Sequence, residues 1–215
     1  MKLPSAKLLI LFLLPLFFVC CSNDDDTPDY PSAVTELVEA MSDKNRLVTL
    51  LHTDRGETLT LDNQPLKTAR PDTTYRCLCM YVKTSETAVK VYKIETVFSA
   101  LPLPTDKYKS HPKSPVHIIS AWRSNRYINL YLSYLTIGAD KHAFGFCEDQ
   151  VVTEGDGTTT IYVSLLHQRP ETDSEAFTEK LYISLPTYQY AGVYDHIVFT
   201  ATTDQGDITY RYDLP

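Results

Sequence analysis

The chain has 215 residues, with 20 Lys and Arg against 27 Asp and Glu, and therefore a formal net charge of −7. Hydrophobic residues make up 43% and charged residues 22%, which is the composition of a folded protein and excludes a chain that is disordered throughout. The acidic balance argues against nucleic-acid binding, because neutralising phosphates requires a concentrated basic surface. The 15 Tyr and 8 Phe against only 7 Gly favour β-structure.

The first 20 residues are predicted to be a secretory signal peptide. Lys2 and Lys7 precede an apolar stretch at residues 8–19, which only Pro15 interrupts. As a helix this stretch would be about 18 Å long, too short for a hydrocarbon core of roughly 30 Å. The segment is therefore interpreted as a cleaved signal and not as a transmembrane anchor.

The signal ends in a sequence that resembles a bacterial lipobox, in which a small residue precedes the cysteine that receives the lipid. Cys21 follows the small Cys20, whereas Cys20 follows the branched Val19, so Cys21 is the predicted lipidation site and Cys20 the alternative. The resemblance implies that a lipid on this cysteine holds the protein to the membrane.

An acidic run follows the lipidated cysteine and resembles the export signal of Bacteroidetes lipoproteins. Consecutive like charges must stay solvated, so residues 21–32 are predicted to be a tether. The resemblance implies anchoring in the outer membrane with the protein facing the exterior. The predicted export residues are Ser22, Asn23, Asp24, Asp25 and Asp26.

Residues 33–101 contain short runs of β-branched and aromatic residues between turn signals, which predict strands. The hairpin turn Asp54-Arg55-Gly56 separates two of these runs, because Gly can adopt the positive φ that such turns require. The predicted strands are 46–52, 58–61, 75–82 and 89–98.

The segment from residue 34 to 41 is ambiguous. Val34, Leu37, Val38 and Met41 follow helical spacing, and Ser32 is a plausible N-cap. If the segment is a strand, it would pair with residues 46–52 across a turn at 42–45. The local pattern alone favours the helix.

Residues 102–115 form a proline-rich segment without apolar periodicity, and they are predicted to be the linker between two domains. Residues 116–215 then contain many short strands separated by polar turns, which is typical of a β-sandwich. The seven predicted strands are 116–122, 127–134, 142–147, 159–167, 179–185, 196–202 and 208–212.

Several sequence blocks then resemble one family. They are YPSAVTEL at 30–37, TDRG at 53–56, SAWR at 120–123, YINL at 127–130, KHAFGF at 141–146, LLH at 165–167 and TEKLYISLP at 178–186. Together they resemble the NigD-like lipoproteins of Bacteroidales. The resemblance implies an all-β protein with an N-terminal OB-like barrel and a C-terminal antiparallel β-sandwich. It also implies that residues 34–41 form a barrel strand, and this prediction is adopted over the helix. The resemblance does not imply a biochemical role, because none is assigned to the family.

Motifs for catalysis or for cofactors are absent from the sequence. It contains no GxSxG, HExxH, Walker loop or GxGxxG, and its six His are scattered without metal-ligand spacing. Cys77 and Cys79 lie on one face of a strand, which is poor geometry for a mutual bridge, so they are interpreted as buried hydrophobic residues. A bridge from Cys147 to one of them stays open. We expect no enzyme activity, no cofactor and no bound metal.

Loops of the predicted sandwich offer the candidate binding residues. Tyr188, Tyr190 and Tyr194 lie in one predicted loop, and tyrosine side chains give rigid, flat contact area with a hydroxyl group. A second polar loop contains His167 and Arg169.

A further aromatic group is predicted to have a structural role. Trp122, Tyr127 and Tyr131 are interpreted as core and cross-strand packing residues.

The sequence thus predicts a non-catalytic surface lipoprotein that binds a glycan, a peptide or a partner protein, and no nucleic acid. One alternative is a structural or assembly component of the cell envelope. Another is a glycan hydrolase, which would require two close carboxylates in a deep cleft.

Overall fold

Five strands close into a barrel in the first half of the molecule. The computed structural model describes residues 32–63, 66–68, 70–137, 142–171 and 177–215. Around the barrel the strand order is β1-β2-β3-β5-β4, and β4 pairs back onto β1. Only β3 and β5 pair in parallel within this barrel. The strands are β1 (Val34–Ser42), β2 (Val48–Thr53), β3 (Thr58–Leu61), β4 (Thr74–Lys83) and β5 (Ala88–Thr96).

Strand β1 shows why the helical pattern at residues 34–41 was misleading. Val38 and Ala40 point into the barrel core, whereas Leu37 and Glu39 are buried on its outer side. A strand that is covered on both faces loses the alternation of apolar and polar residues, and its apolar positions can then imitate a helical spacing. The strand implied by the family resemblance is confirmed, and the helix favoured by the local pattern is wrong.

The predicted hairpin between β2 and β3 is present. The Gly56 N–H donates to the Thr53 carbonyl over 2.9 Å, and Gly56 has a φ of 88°. No heavy atom would lie within 4 Å of a Cβ at this position, so the backbone conformation and not crowding favours glycine.

The second half forms a sandwich of two sheets, with one hydrophobic core between them. One sheet has the order β11-β8-β7, and the other has the order β13-β12-β10-β9-β6. The strands are β6 (Leu103–Pro104), β7 (His117–Arg123), β8 (Tyr127–Thr136), β9 (Ala143–Thr153), β10 (Thr159–Gln168), β11 (Phe177–Pro186), β12 (His196–Thr203) and β13 (Gly206–Asp213).

The predicted architecture, an all-β barrel followed by a β-sandwich, is confirmed. All seven strands predicted for the second half are present, and several extend a few residues further. One detail differs, because the five-stranded sheet is mixed and not purely antiparallel. Strand β12 pairs in parallel with β10, and β6 pairs in parallel with β9.

The proline-rich segment 102–115 packs against the sandwich. It contributes β6 to the edge of the five-stranded sheet and continues into a short 3-10 helix at Thr105–Lys107. The Tyr108 hydroxyl then donates to the Phe146 carbonyl over 2.9 Å. The segment is therefore tied to the sheet by side-chain and backbone hydrogen bonds.

The predicted signal peptide, the lipidation site Cys21 and the export residues Ser22, Asn23, Asp24, Asp25 and Asp26 lie outside the described residues. In the part of the chain that is described, no helix has the length and hydropathy needed to span a membrane.

Candidate binding site

A buried polar network joins the barrel to the sandwich. The Arg76 guanidinium of β4 donates two hydrogen bonds to the Asp54 carboxylate, both over 2.6 Å. It also donates to Asn129 Oδ1 of β8 over 3.0 Å and to Ser184 Oγ of β11 over 3.2 Å. We call Asp54, Arg76, Asn129 and Ser184 the junction network.

Every nitrogen of the Arg76 guanidinium has an acceptor in this network, and its carbon lies 4.1 Å from the centre of the Tyr127 ring. A buried guanidinium is tolerated only when its charge and its donors are compensated in this way. The network therefore fixes the barrel against the outer face of the three-stranded sheet and sets the shape of the clefts beside it.

One of these clefts, here called the junction cleft, lies between the barrel and the three-stranded sheet and has a volume of about 470 Å³. This volume is within the usual range of small-ligand sites, roughly 300–1,000 Å³. Its lining residues from the barrel are Thr35, Glu36, Leu37, Asp54, Arg55 and Leu78, and those from the sandwich are Trp122, Arg123, Ser124 and Tyr182.

An aromatic strip extends from the junction cleft across the outer face of the three-stranded sheet. The Trp122 ring meets Tyr182 edge-on, with the ring centres 6.4 Å apart. Tyr182 stacks on Tyr131 of the neighbouring strand, with the ring centres 4.5 Å apart. We call Trp122, Tyr182 and Tyr131 the aromatic strip.

Trp122 does not occupy the core position expected from the sequence. Its side chain points away from the sandwich core and is 36% exposed, and its aromatic partner is Tyr182 and not Tyr127. Tyr127 is buried at the junction, where its hydroxyl donates to Glu39 over 2.6 Å. The alternation of side chains along β7 shows which residues share a face with Trp122. It does not show which face is buried, because that depends on where the barrel packs.

The junction cleft combines apolar walls with a charged rim. Leu37 and Leu78 are cross-strand partners on the outside of the barrel, and they line the cleft together with Trp122 and Tyr182. Rigid, flat rings and aliphatic walls favour a ligand with an apolar face, and the polar rim gives it orientation. This geometry fits the pyranose ring of a sugar, which has a flat C–H face and a polar edge.

The three predicted tyrosines of the second domain occupy the predicted loop, between β11 and β12, but they do not form one patch. Tyr190 is buried, its hydroxyl donates to Glu148 Oε1 over 2.7 Å, and burial raises the pKa of this phenol well above its usual value. Tyr194 packs against Tyr190 and the sandwich core. Only Tyr188, which is 42% exposed, has a ring available at the surface.

Tyr188 borders a second cleft on another side of the junction network, with a volume of about 450 Å³. The Arg126 guanidinium lies 4.7 Å from the centre of its ring, and Arg126 also donates to Glu39 over 3.3 Å. Leu101, which is 48% exposed, lines the same cleft. We call Leu101, Arg126 and Tyr188 the Tyr188 surface.

His167 and Arg169 lie together at a third cavity of about 350 Å³. The Ser114 carbonyl can only accept, so His167 Nδ1 donates to it over 3.0 Å, and His167 Nε2 then accepts from His142 Nδ1 over 2.7 Å. Burial lowers the pKa of His167 to about 4. The residue is therefore neutral at pH 7, and both of its ring nitrogens are used within the protein.

The structure does not bring all five predicted binding residues into one site. Strands β10 and β12 run in parallel, and Thr160 is opposite His196, which directly follows the tyrosine loop. His167 lies seven residues further along β10, about 23 Å from that end of the sheet. Tyr188 and His167 therefore mark opposite ends of the sandwich.

Cys77, Cys79 and Cys147 are buried free thiols, so the bridge that the sequence left open is not formed in the structure. Within the described ranges, no group of three or more His, Cys, Asp and Glu side chains could hold a metal ion.

Comparison with solved structures finds the same fold in proteins from Bacteroides and Parabacteroides species. The chain resembles a NigD-like immunity protein from Bacteroides caccae, at 24% identity and a TM-score of 0.68 over 86% of this chain and 99% of that one. It also resembles a toxin-related protein from Parabacteroides distasonis, at 17% identity and a TM-score of 0.67 over 84% of this chain and 92% of that one. A protein of unknown function from Bacteroides vulgatus is 14% identical, with a TM-score of 0.65 over 86% of this chain and 92% of that one.

These comparisons show a shared fold. The resemblance to NigD-like proteins that the sequence predicted is confirmed at this level. No family model and no curated protein matches the chain.

Proposed function

We propose that this protein is a non-catalytic binding module that binds a polysaccharide in the junction cleft. The observation that supports this proposal is the aromatic strip, which begins inside the cleft and continues across an open sheet face. A strip of this kind offers successive flat surfaces to the rings of a polymer, and the loops and strands around it are held by the junction network.

The carboxylates around the junction support binding over hydrolysis. Glu36 pairs with Arg55 over 3.2 Å, Asp54 pairs with Arg76 over 2.6 Å, and Glu39 pairs with Arg126 over 3.3 Å. A glycan hydrolase requires one carboxyl group to give a proton and a second to act as base or nucleophile. Carboxylates that are each engaged by an arginine are poorly suited to these roles.

The test is affinity gel electrophoresis of the purified protein in gels that contain amylopectin, xyloglucan, polygalacturonate or chondroitin sulfate. We expect at least one polymer to retard the wild type and the Trp122→Ala variant to lose about tenfold or more in affinity, since tenfold corresponds to about 1.4 kcal/mol. Tyr92→Ala is the matched control, because Tyr92 is an exposed aromatic residue that lines none of the three cavities described above. The proposal is wrong if no polymer retards the wild type, or if Trp122→Ala is retarded equally.

We also propose that the protein acts at the outer surface of the outer membrane, anchored by a lipid on Cys21. The support is the order of the N-terminal signals, namely a short apolar stretch, the cysteine and the acidic run of Asp24, Asp25 and Asp26. Protease treatment of intact cells tests this placement. The wild type should be stripped from the cells, and a variant with the three aspartates changed to alanine should be protected. If neither is stripped while a periplasmic control protein stays intact, the surface placement is wrong.

A second candidate function is an immunity role, which the name of the Bacteroides caccae structure suggests. The Tyr188 surface favours it, because exposed Tyr and Arg residues are typical of the centres of protein–protein interfaces. In cross-linking on intact cells, adducts that are lost in Tyr188→Ala and kept in Trp122→Ala would support this function over polysaccharide binding.

A further inference from the structure

The outer face of the three-stranded sheet continues beyond the aromatic strip. Along the central strand β8, Ile128, Leu130 and Leu132 pack in the core, so the residues that alternate with them project outward. Trp122 lies opposite Asn129 and lines the junction cleft, so Asn129 marks the end of β8 that is next to this cleft. The outward residues of β8, in order from that end, are Asn129, Tyr131, Ser133 and Leu135.

This face forms a trough over Ser133. The cross-strand neighbours of Ser133 are His117 on β7 and Lys180 on β11, and both of these longer side chains are exposed. A small residue between two long ones leaves a depression in the surface of a sheet. The trough continues the line of the aromatic strip, because Tyr131 and Ser133 project from the same face of β8.

The third cavity opens at the far end of this trough. The pairing of β8 with β7 ends at Ser133, because the chain before β7 crosses to the other sheet. There the Ser114 N–H donates to the His167 carbonyl of β10 over 2.9 Å. The Val116 N–H likewise donates to the Thr202 carbonyl of β12 over 3.0 Å. The cavity is therefore lined, on the side of the three-stranded sheet, by His117, Ser133, Leu135 and Thr178.

This wall of the third cavity offers two kinds of contact to a sugar. Leu135 is 42% exposed and gives an apolar surface for the C–H face of a ring. Its cross-strand partner Thr178 is exposed and has a hydroxyl group that can donate and accept. His117 adds an exposed imidazole. The wall thus repeats the combination of apolar surface and polar edge that is found in the junction cleft.

The register gives the distance between the two sites. Asn129 lies opposite Trp122, and Leu135 lies six residues further along β8, or about 20 Å away at roughly 3.4 Å per residue. A disaccharide is too short to reach both positions, whereas several linked sugars can.

We propose that the third cavity is a second subsite for the same polysaccharide, which lies along β8 with one sugar on Trp122 and another against Leu135. The linked sugars between them pass over Tyr131 and Ser133. A ligand that reaches both subsites gains the second set of contacts without a second loss of translational freedom, so its affinity rises with its length. This inference rests on the proposed function, because it extends the same binding surface.

Oligosaccharides of two lengths test the second subsite. The probes are malto-, cello-, galacturono- and chondroitin oligosaccharides of two and six sugars, which represent the backbones of the four polymers in the affinity gels. In isothermal titration calorimetry with the purified protein, we expect the hexasaccharide of at least one series to bind at least tenfold more tightly than its disaccharide. In Leu135→Ala this length preference should fall below threefold, whereas Trp122→Ala should weaken the binding of both lengths.

Val151→Ala is the matched control. Val151 is an aliphatic residue that is 48% exposed, but it lies on β9 of the other sheet and lines none of the three cavities described above. The length preference should be unchanged in this variant. If Leu135→Ala does not fold, as judged by thermal unfolding, His117→Ala takes its place, because His117 is exposed and lines the same cavity.

Three results would overturn the second subsite and leave the proposed function standing. They are equal affinity for the two lengths, an unchanged length preference in the folded variant of the third cavity, and a polymer that retards the protein although its hexasaccharide does not bind. Failure of every polymer and every oligosaccharide to bind overturns both proposals.

Discussion

The Arg76 guanidinium of the barrel donates a hydrogen bond to Asn129 Oδ1 of the sandwich over 3.0 Å, and both side chains are buried. These two residues are 53 positions apart in the sequence, and the bond joins two separate hydrophobic cores. The relative position of barrel and sandwich here depends on polar groups, which require defined angles as well as distances.

We expect Arg76→Met to destabilise the protein by about 3 kcal/mol, because it leaves the Asp54 carboxylate without its cation and Asn129 and Ser184 without a donor. The measurement is urea unfolding followed by tryptophan fluorescence. Arg55→Met is the control, since Arg55 is exposed and its pairing with Glu36 should contribute less than about 1 kcal/mol. Equal effects of the two substitutions would contradict a structural role of the junction network.

Much of the architecture could be predicted from the sequence, because the strands of the sandwich have one covered and one open face. In β8, Ile128, Leu130 and Leu132 face the core and alternate with Asn129 and Tyr131. This period of two is visible without a structure. Strand β1 is harder to predict from the sequence, because both of its faces are covered. Only the family resemblance indicates a strand there.

The candidate site was harder to predict than the strands. Trp122 and Leu37 come from distant parts of the chain, and each is unremarkable in its local sequence. The tyrosines of the loop after β11 are easier to find in the sequence, because they lie close together there. In the structure, however, Tyr190 is buried and Tyr188 is exposed. Which aromatic residue faces a cleft is decided by the docking of barrel and sandwich, and this tertiary arrangement has no local sequence pattern.

We expect the stability of the protein to fall between pH 6.5 and pH 5 because of His167. Burial lowers the pKa of His167 to about 4 in the folded protein, whereas the unfolded chain titrates near 6.5. In this window the unfolded chain binds a proton at His167 and the folded protein does not, so the free energy of unfolding decreases as the pH falls. The contribution is about 1.5 kcal/mol across the window.

His167→Gln provides the comparison, because glutamine does not titrate. The variant should be less stable at pH 7, since its hydrogen bonds to Ser114 and His142 are altered, but its stability should decrease less between pH 6.5 and 5. Urea titrations at several pH values measure both slopes. Parallel slopes for the two proteins would show that His167 is not the titrating group.

The buried thiols should be unreactive in the folded protein. Burial raises the pKa of Cys77 to about 11 and that of Cys79 to about 12, so almost no thiolate is present at pH 8. We expect the reaction of these two thiols with Ellman's reagent to be about 100-fold slower in buffer than in guanidinium chloride. Mass spectrometry of the labelled peptides identifies which cysteines react, and rapid labelling of Cys79 in buffer would contradict its position in the barrel core.

Gly56→Ala tests whether the β2–β3 hairpin depends on backbone conformation alone. A Cβ at Gly56 would meet no atom, but the φ of 88° is unfavourable for alanine, and we expect a loss of about 1 kcal/mol. Gly155→Ala is a matched control, because the space there is equally open and Gly155 does not have a positive φ. That variant should stay within about 0.5 kcal/mol of the wild type in urea unfolding. If Gly56→Ala is equally neutral, the turn must relax to another conformation, and Asp54, which follows β2 in this turn, should then hold Arg76 less tightly.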